Sequence, residues 1–229
     1  MGDWYEGRIT GLAKAAEGLV EVTLDVSGTP LPAAHAHAGQ YLKASVEGGG
    51  EGYFAIASAP GEGDRLELLV KAGSKLGAAL AAPTPPEVLR LSAPLGPGFP
   101  LDKARGRDVL LFATGSGLGA IRPVVRVLLR DPGAYGKVTL FVGVRTPTSL
   151  AYAKDIGAWE AAGVTVLRVV SQPGASGWAG LTGYVQSHLG SIDATHAVAF
   201  VVGQEAMMRA VTEALVSRGL TSDRVFRNH

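Results

Sequence analysis

A glycine-rich turn is the stretch of this chain whose residue types best fit a chemical role. Residues 114–120 read TGSGLGA and follow the apolar run 109–113. A helical pattern begins directly behind the turn, over residues 121–129. A strand that leads through such a turn into a helix presents backbone N–H groups and a helix N-terminus to a phosphate. The turn therefore predicts a dinucleotide site, although its third glycine comes one residue earlier than in the G-x-G-x-x-G pattern.

Other chemistries have less support in the sequence. Ser58 and Ser116 lack His and Asp partners at the spacing of a hydrolase triad. No cluster of Asp, Glu or Cys accompanies His35 and His37, so we predict no metal site. The chain contains no cysteine, which rules out a catalytic thiol, a disulfide and a Cys-ligated iron–sulfur cluster within it.

Composition and charge also exclude several classes of function. Lys plus Arg number 21 and Asp plus Glu number 20, with no basic block, so nucleic acid is not an expected partner. No apolar run reaches the roughly 20 residues that span a bilayer. The N-terminal residues lack the basic start and apolar stretch of a secretion signal. We expect a cytoplasmic protein, with an organellar protein that has lost its transit peptide as the open alternative.

The elements that position the glycine turn fall into two patterns, which meet near residues 93–100. Before this point the chain reads as short strands separated by turns, with one helical piece before the last strand. The predicted strands are 7–12, 19–26, 40–46, 53–58, 65–70 and 88–91, and the helical piece is 76–82. Six such strands are typical of a small antiparallel barrel or sandwich. Of the two, we expect a β-barrel domain, over residues 1–101.

Beyond the boundary, strands and helices alternate. Near-continuous apolar runs predict strands of a parallel sheet that is buried on both faces, at 109–113, 138–144, 164–170 and 197–202. Helical patterns follow at 121–130, 150–162 and 205–218. This order predicts an α/β nucleotide-binding domain over residues 102–229, with the glycine turn after its first strand.

The order of motifs along almost the whole chain resembles the ferredoxin–NADP⁺ reductase-like superfamily, here without an iron–sulfur domain. Seven motifs come in family order: AGQY at 38–41, AIAS at 55–58, LGPGF at 95–99, the glycine turn, FVGVRTP at 141–147, GYVQ at 183–186 and VGQEAMM at 202–208. The resemblance implies a flavin-binding barrel followed by a pyridine-nucleotide domain. Its expected activity is that of an NAD(P)H oxidoreductase. Such an enzyme passes hydride from nicotinamide to flavin N5 and electrons on to an acceptor, a protein or a small molecule, that the sequence does not identify.

The same resemblance places the flavin against the barrel. Phe54 would stack on the isoalloxazine, and Ala55 takes the catalytic position where the family has a Ser or Thr facing flavin N5. Gly52 stands where the family has an Arg for the flavin pyrophosphate, so Lys71 or Lys75 is the expected source of positive charge. Further flavin contacts are expected from Ala55, Ile56, Ala57, Val70, Lys71, Gly73, Gly77 and Ala78. We expect FAD, with FMN as the alternative.

On the nucleotide side, the resemblance assigns the pyrophosphate to the glycine turn. The expected contacts with the pyridine nucleotide are Thr114, Gly115, Ser116, Gly117, Arg145, Thr146, Ser171, Gln172, Tyr184, Gly203 and Met207. Two cations that clamp the 2′-phosphate in NADP-selective members are missing, because Gln172 and Thr182 occupy their positions. A phosphate without a cationic partner is poorly held, so NADH is favoured over NADPH unless Arg145 or Arg168 points into the site.

The last motif and the C-terminus complete the expected catalytic positions. Val202 stands where the family has a Cys beside the nicotinamide, and His229 would lie next to the flavin. A second interpretation stays open, because the flavin signature and this Cys position are substituted. It is a catalytically weakened reductase-fold protein that binds a nucleotide or a flavin as an accessory or sensor subunit.

Overall fold

The first half of the chain forms a barrel. The computed structural model describes residues 3–47, 50–190 and 192–228. Six strands form an antiparallel sheet in the order β4-β3-β6-β1-β2-β5: β1 (Trp4–Ala16), β2 (Leu19–Asp25), β3 (Tyr41–Val46), β4 (Gly50–Ala55), β5 (Arg65–Lys71) and β6 (Val88–Ser92). An antiparallel bridge between Ile56 and Leu68 joins the two edge strands and closes the sheet. The predicted six-stranded barrel is confirmed.

Alternate strand residues fill this barrel, as the two-residue period of a strand requires. Val22 and Leu24 of β2 and Leu89 and Leu91 of β6 are fully buried in one hydrophobic cluster. Two short helices accompany the strands, α1 (Leu31–Ala34) and α2 (Lys75–Leu80). The sequence predicted α2 and not α1, because a four-residue helix leaves no periodic pattern.

The second half is a parallel sheet with helices, as predicted. Its strands are β7 (Asp108–Thr114), β8 (Val138–Val144), β9 (Thr165–Val170), β10 (Leu181–Thr182), β11 (Ala197–Val202) and β12 (Val225–Arg227). They pair in the order β10-β9-β8-β7-β11-β12, and every pair is parallel. The helices are α3 (Leu118–Arg130), α4 (Ala153–Ala161) and α5 (Glu205–Val216). The edge strands β10 and β12 were not predicted, because they are too short for a pattern.

Helices cover both faces of this sheet. Leu111 of β7 packs in one cluster with residues of α3 and α4, whereas its neighbours Leu110 and Phe112 pack with residues of α5. The Phe112 and Phe141 rings stack on the α5 face with centroids 4.7 Å apart. Burial on both faces explains why these strands are almost continuously apolar. Within the described ranges, no helix combines the length and the apolarity that crossing a bilayer requires.

A buried ion cluster joins the barrel to α3. Glu67 of β5 is 1% exposed, and its carboxylate accepts hydrogen bonds from Arg122 Nη1 at 2.5 Å and Arg126 Nη1 at 3.2 Å. Arg122 also donates from Nε to Asp155 Oδ2 of α4 at 2.5 Å. Arg130, one turn beyond Arg126 on α3, donates to the Pro60 carbonyl at 2.6 Å. These arginines recur at every fourth position, so one face of α3 meets the acidic side of the barrel.

Removing the buried carboxylate should therefore destabilise the protein. We expect Glu67→Gln to lower the free energy of unfolding by about 3 kcal/mol, because it leaves the buried Arg122 guanidinium with too little negative charge beside it. The exposed pair of Lys43 and Glu51, 3.4 Å apart, gives the control. Glu51→Gln should cost less than about 1 kcal/mol. Denaturant unfolding of both variants measures the difference, and equal losses would contradict the structural role of Glu67.

A buried histidine gives the fold a dependence on pH. His35 follows α1, is 3% exposed and leaves its Nε2 without a partner, and burial lowers its pKa from 6.5 to about 4. The unfolded chain takes up the proton first, so stability is complete above pH 6.5 and declines as the pH falls towards 4.

We expect the loss to reach about 3 kcal/mol from this group alone. The variant His35→Leu should flatten the stability profile in that window, whereas His37→Gln, at the exposed neighbouring histidine, should leave it unchanged. Unfolding curves across the pH range measure this. An unaltered slope in His35→Leu would refute the assignment.

Candidate functional site

The carboxyl ends of five parallel strands, β7 to β11, open into a cleft. The cleft has a volume of about 750 Å³ and lies where the strand order reverses, between β7 and its neighbours β8 and β11. Because successive strands leave this point in opposite directions, their connections separate and expose the strand ends to a ligand. The register pairs Val202 with Ala113, which puts the end of β11 beside the glycine turn.

Glycines bring the backbone of the turn close to its neighbours. A Cβ on Gly117 would lie 3.0 Å from both the Cγ1 and the carbonyl oxygen of Val202. A Cβ on Gly203 would collide with the side chains of Thr114 and Met207. No side chain caps the N-terminus of α3, and the Leu118 amide there donates to the Gly115 and Ser116 carbonyls. The floor of the cleft is therefore backbone, which suits a phosphate.

Polar side chains and one exposed aromatic ring form the walls. Arg145 lines the cleft, and its Nε donates to Gln172 Oε1 at 2.8 Å. Tyr184 stands at the mouth with 67% of its surface exposed, which is unusual for a large ring. Arg168 does not reach the cleft, because Glu160 holds its guanidinium through two hydrogen bonds of 2.9 and 2.6 Å. Of the two compensating arginines considered, Arg145 is the one at the site.

The cleft brings together most of the residues predicted for the nucleotide, with one lysine from the barrel. They are Lys71, Thr114, Gly115, Ser116, Gly117, Arg145, Ser171, Gln172, Tyr184, Val202, Gly203 and Met207. Further lining residues were missed by sequence reasoning: Gly143, Val144, Gly183, Val185, Gln186, Gln204 and Ala206. Each of these lies inside or next to a recognised motif, so extending the motifs to whole turns would have found them.

Thr146 lies outside the cleft. Its hydroxyl donates to Glu17 Oε2 at 3.2 Å, on the hairpin between β1 and β2, and Thr148 donates to the same oxygen at 2.5 Å. These hydrogen bonds, from Thr148 first and Thr146 second, hold the pKa of Glu17 below its ordinary value. The two halves of the chain therefore meet at Thr146 and Glu17, as well as at the ion cluster of Glu67 and Arg122.

On the barrel, the predicted flavin residues divide by exposure. Phe54 and Ala55 are half-buried at the end of β4, whereas Ile56, Ala57 and Val70 are fully buried. The Ile56 amide donates to the Gln40 carbonyl at 3.0 Å, and the Ala57 amide donates to the Glu67 carbonyl at 2.7 Å. These two amides close the barrel and are not free for a ligand.

The turn before α2 is tightly built. A Cβ on Gly77 would collide with the Lys71 carbonyl oxygen, so this position excludes the hydroxyl residue that the family resemblance would place there. Ser74 supplies a hydroxyl instead: its Oγ accepts from the Gly77 amide at 2.9 Å and donates to the Lys71 carbonyl at 2.7 Å. Gly73 and Ala78 are exposed on either side.

Lys75 is the lysine that lies beside β4. A Cβ on Gly50 would be 3.1 Å from Lys75 Cδ, so the lysine stem crosses the start of the strand that carries Gly52. His229 lies outside the described residues. Its neighbour Asn228 reaches the barrel, where Nδ2 donates to the Gly39 carbonyl at 3.0 Å.

The glycine turn also packs directly on the barrel. A Cβ on Gly119 would lie 3.0 Å from Leu69 Cβ and 3.9 Å from Ala57 Cβ. Since Ala57 is two residues from Ala55, the expected flavin and nucleotide positions adjoin. In the part of the chain that the structure describes, no group of three or more His, Cys, Asp or Glu side chains could hold a metal ion.

Comparisons with known proteins agree with this geometry. Residues 111–213 match the family model described as the oxidoreductase NAD-binding domain. Over 194 residues, the chain is 26% identical to the sulfhydrogenase 1 subunit gamma of Pyrococcus furiosus, covering 82% of this chain and 66% of that subunit. Over 183 residues, it is 28% identical to the ferredoxin–NAD(+) reductase component of the alkene monooxygenase system of Xanthobacter autotrophicus, covering 77% and 53%. The chain thus spans less than two thirds of either relative.

A solved structure matches along almost the entire length. It is a ferredoxin–NADP⁺ reductase from Neisseria gonorrhoeae with bound FAD and NADP, with a TM-score of 0.81 and 15% identity, covering 99% of this chain and 98% of that one. The fold and the matched domain are those found in NAD-binding oxidoreductases. The fold along the whole chain is that of ferredoxin–NADP⁺ reductase-like proteins, in agreement with the resemblance that the sequence predicted, and residues 111–213 match an oxidoreductase NAD-binding domain.

The close approach of Gly117 to Val202 makes a binding test possible. We expect Gly117→Ala to weaken NADH binding about tenfold, because the added methyl displaces the turn from a backbone carbonyl that cannot rotate away. Gly157→Ala is the matched control, since a Cβ there meets nothing within 4 Å. Titration of intrinsic fluorescence with NADH measures both, and unchanged binding in Gly117→Ala would contradict the role of the turn.

Proposed function

We propose that the protein is a flavin-dependent NADH oxidoreductase, with FAD on the barrel and NADH in the cleft. The observation that carries this proposal is the packing of the nucleotide turn on the barrel: Gly119 meets Leu69 and Ala57, two residues from Ala55. A nicotinamide held by this turn and a flavin held by β4 would be neighbours. In this proposal the barrel domain ends at residue 101 and the nucleotide-binding domain begins at residue 102.

Backbone and side chains divide the work on the nucleotide. The amides of the glycine turn and of the first turn of α3 would hold the pyrophosphate. Tyr184 would pack on the adenine with its exposed ring. Val202, part of the apolar lining beside Gly117, would exclude water from the nicotinamide.

The residues on the barrel fit a flavin with a changed set of contacts. Phe54 offers a half-buried ring, Ala55 leaves room at the end of β4, and Lys75 brings a cation beside the strand that lacks the usual Arg. A bound flavin would supply hydride acceptance at N5 and onward transfer of electrons. Hydride transfer requires no protein acid or base, so the task of this chain would be to hold two rings in contact.

The Arg145–Gln172 pair supports the preference for NADH. A neutral amide is a partner for a ribose hydroxyl, and it already occupies one donor of the one arginine that lines this wall. A 2′-phosphate would have to share that arginine, without the two-cation clamp. We propose that NADH binds more tightly than NADPH.

The electron acceptor lies outside this chain. Because these 229 residues contain no cysteine, a Cys-ligated iron–sulfur cluster cannot lie within them. The relative from Xanthobacter autotrophicus is called a ferredoxin–NAD(+) reductase component. We propose a separate ferredoxin-type electron carrier as the acceptor, with a small molecule as the alternative.

A second candidate function rests on the substituted flavin signature. A Cβ on Gly52 would lie 3.0 Å from Cε2 and Cζ of Phe54, so this ring leans over the position of the usual Arg. The Pyrococcus furiosus relative is called a subunit of a larger enzyme. Both observations favour an accessory or sensor subunit that binds a nucleotide and turns over slowly.

The visible spectrum of the purified protein separates the two functions. After incubation with FAD and desalting, we expect a yellow protein whose flavin absorbance bleaches anaerobically on addition of NADH. NADPH should require a higher concentration for the same effect. A protein that stays colourless after incubation with FAD or FMN would overturn the enzyme and favour the accessory subunit.

A substitution tests the cation that we assign to the flavin. Lys75→Gln should weaken FAD binding about tenfold, because a phosphate loses its charged partner. Lys154→Gln, an exposed lysine on α4, is the matched control and should bind FAD as the unmodified protein does. Equal FAD affinity in the two variants, measured by fluorescence quenching of the flavin, would exclude Lys75 as this partner.

A further inference from the structure

Arg122 makes a set of contacts that the proposed binding roles do not use. It lies on α3, three residues beyond Gly119, and is 5% exposed. Its guanidinium reaches three other parts of the structure: Glu67 on β5 at 2.5 Å, the Ala57 carbonyl at 3.3 Å and Asp155 on α4 at 2.5 Å. One planar guanidinium on α3 therefore bonds to the barrel and to α4 at the same time.

The surroundings hold this guanidinium in one orientation. The Tyr152 ring lies over it, 4.4 Å from the ring centroid, and Glu21 of β2 approaches its Nη2 at 3.5 Å. Tyr152 has a left-handed backbone with φ of 58°, a conformation that a bulky residue adopts only where its surroundings demand it. Partners on several sides thus hold the Arg122 guanidinium.

Of the three arginines of α3 that meet the barrel, Arg122 lies nearest to the glycine turn. Arg126 and Arg130 also meet the barrel, yet they lie about 6 Å and 12 Å further along the helix. Their side chains are 25% and 47% exposed. Arg122 is the arginine next to the glycine turn, and its carbonyl partner, Ala57, is two residues from Ala55.

We infer that Arg122 is a positioning residue for electron transfer: its fork sets the distance between the glycine turn and the barrel wall at Ala55–Ala57. The inference rests on the proposed function, since the distance matters only where a nicotinamide and a flavin meet across this contact. Arg122 touches neither ring. It acts through Gly119 and Ala57, so its loss should affect ring contact more than the affinity for either cofactor.

The test compares two substitutions of the same kind on one helix. Arg122→Lys keeps a positive charge beside Glu67, so the buried carboxylate retains a cationic partner. A single ammonium group, however, cannot hold three partners at once. Arg130→Lys is the control at the exposed end of α3. For each FAD-loaded protein we would measure flavin content, affinity for NADH and the limiting rate of flavin reduction in a single turnover. We would also record the long-wavelength absorbance produced by a tetrahydro analogue of NADH, which cannot transfer hydride.

We expect Arg122→Lys to reduce flavin 10- to about 100-fold more slowly, with NADH affinity within about threefold of the unmodified protein. The long-wavelength band, which reports ring contact without turnover, should weaken in parallel. Arg130→Lys should match the unmodified protein in all four measurements. As a second variant, Asp155→Asn should shift the rate and the band in the same direction by a smaller factor.

Three other results would contradict either this inference or the proposed function. An unchanged rate and band in Arg122→Lys would overturn the inference and leave the proposed function intact. Loss of flavin or of cooperative unfolding in both Arg122→Lys and Asp155→Asn would show that the cluster holds the fold and not the ring spacing, and would also overturn it. An unmodified protein that binds no flavin would overturn the proposed function itself.

Discussion

The buried pair of Arg122 and Glu67 is the interaction on which the arrangement of this protein depends. Two charges removed from water are stable only with complete sets of partners, and here those partners come from β5, α3 and α4. The pair therefore forbids sliding between the barrel and α3. Because the glycine turn leads into α3, the same pair holds this turn against the barrel wall at Leu69 and Ala57.

Close backbone approach is the second constraint, and it explains the chemistry of the cleft. Gly117, Gly143 and Gly203 each stand where a side chain would meet a neighbouring strand or its side chains. The strand ends therefore present amides at the floor, while Arg145 and Tyr184 act from the walls. A site of this kind binds phosphate through dipoles and selects the nucleotide through a small number of side chains.

On the barrel, the residues that depart from the family pattern contact one another or fill the space that another leaves. With glycine at position 52, the Phe54 ring leans into the space beside it, and the Lys75 stem crosses the start of the same strand. The tight turn at Gly77 excludes a side chain, and Ser74 provides the hydroxyl that caps α2. The departures from the family pattern thus form a set of mutually compatible contacts, which supports a retained but altered flavin site.

The sequence by itself determined the architecture and the nucleotide turn, since alternation, apolar runs and glycine spacing are local signals that survive without knowledge of packing. Tertiary structure alone decided that Thr146 faces Glu17 instead of the cleft, that Arg145 reaches the site while Arg168 does not, and that the Ile56 and Ala57 amides close the barrel. It also decided the central ion pair, whose members are 55 residues apart. Such partners share no periodicity, because a charge finds its counter-charge only after the strands and helices that carry them have packed.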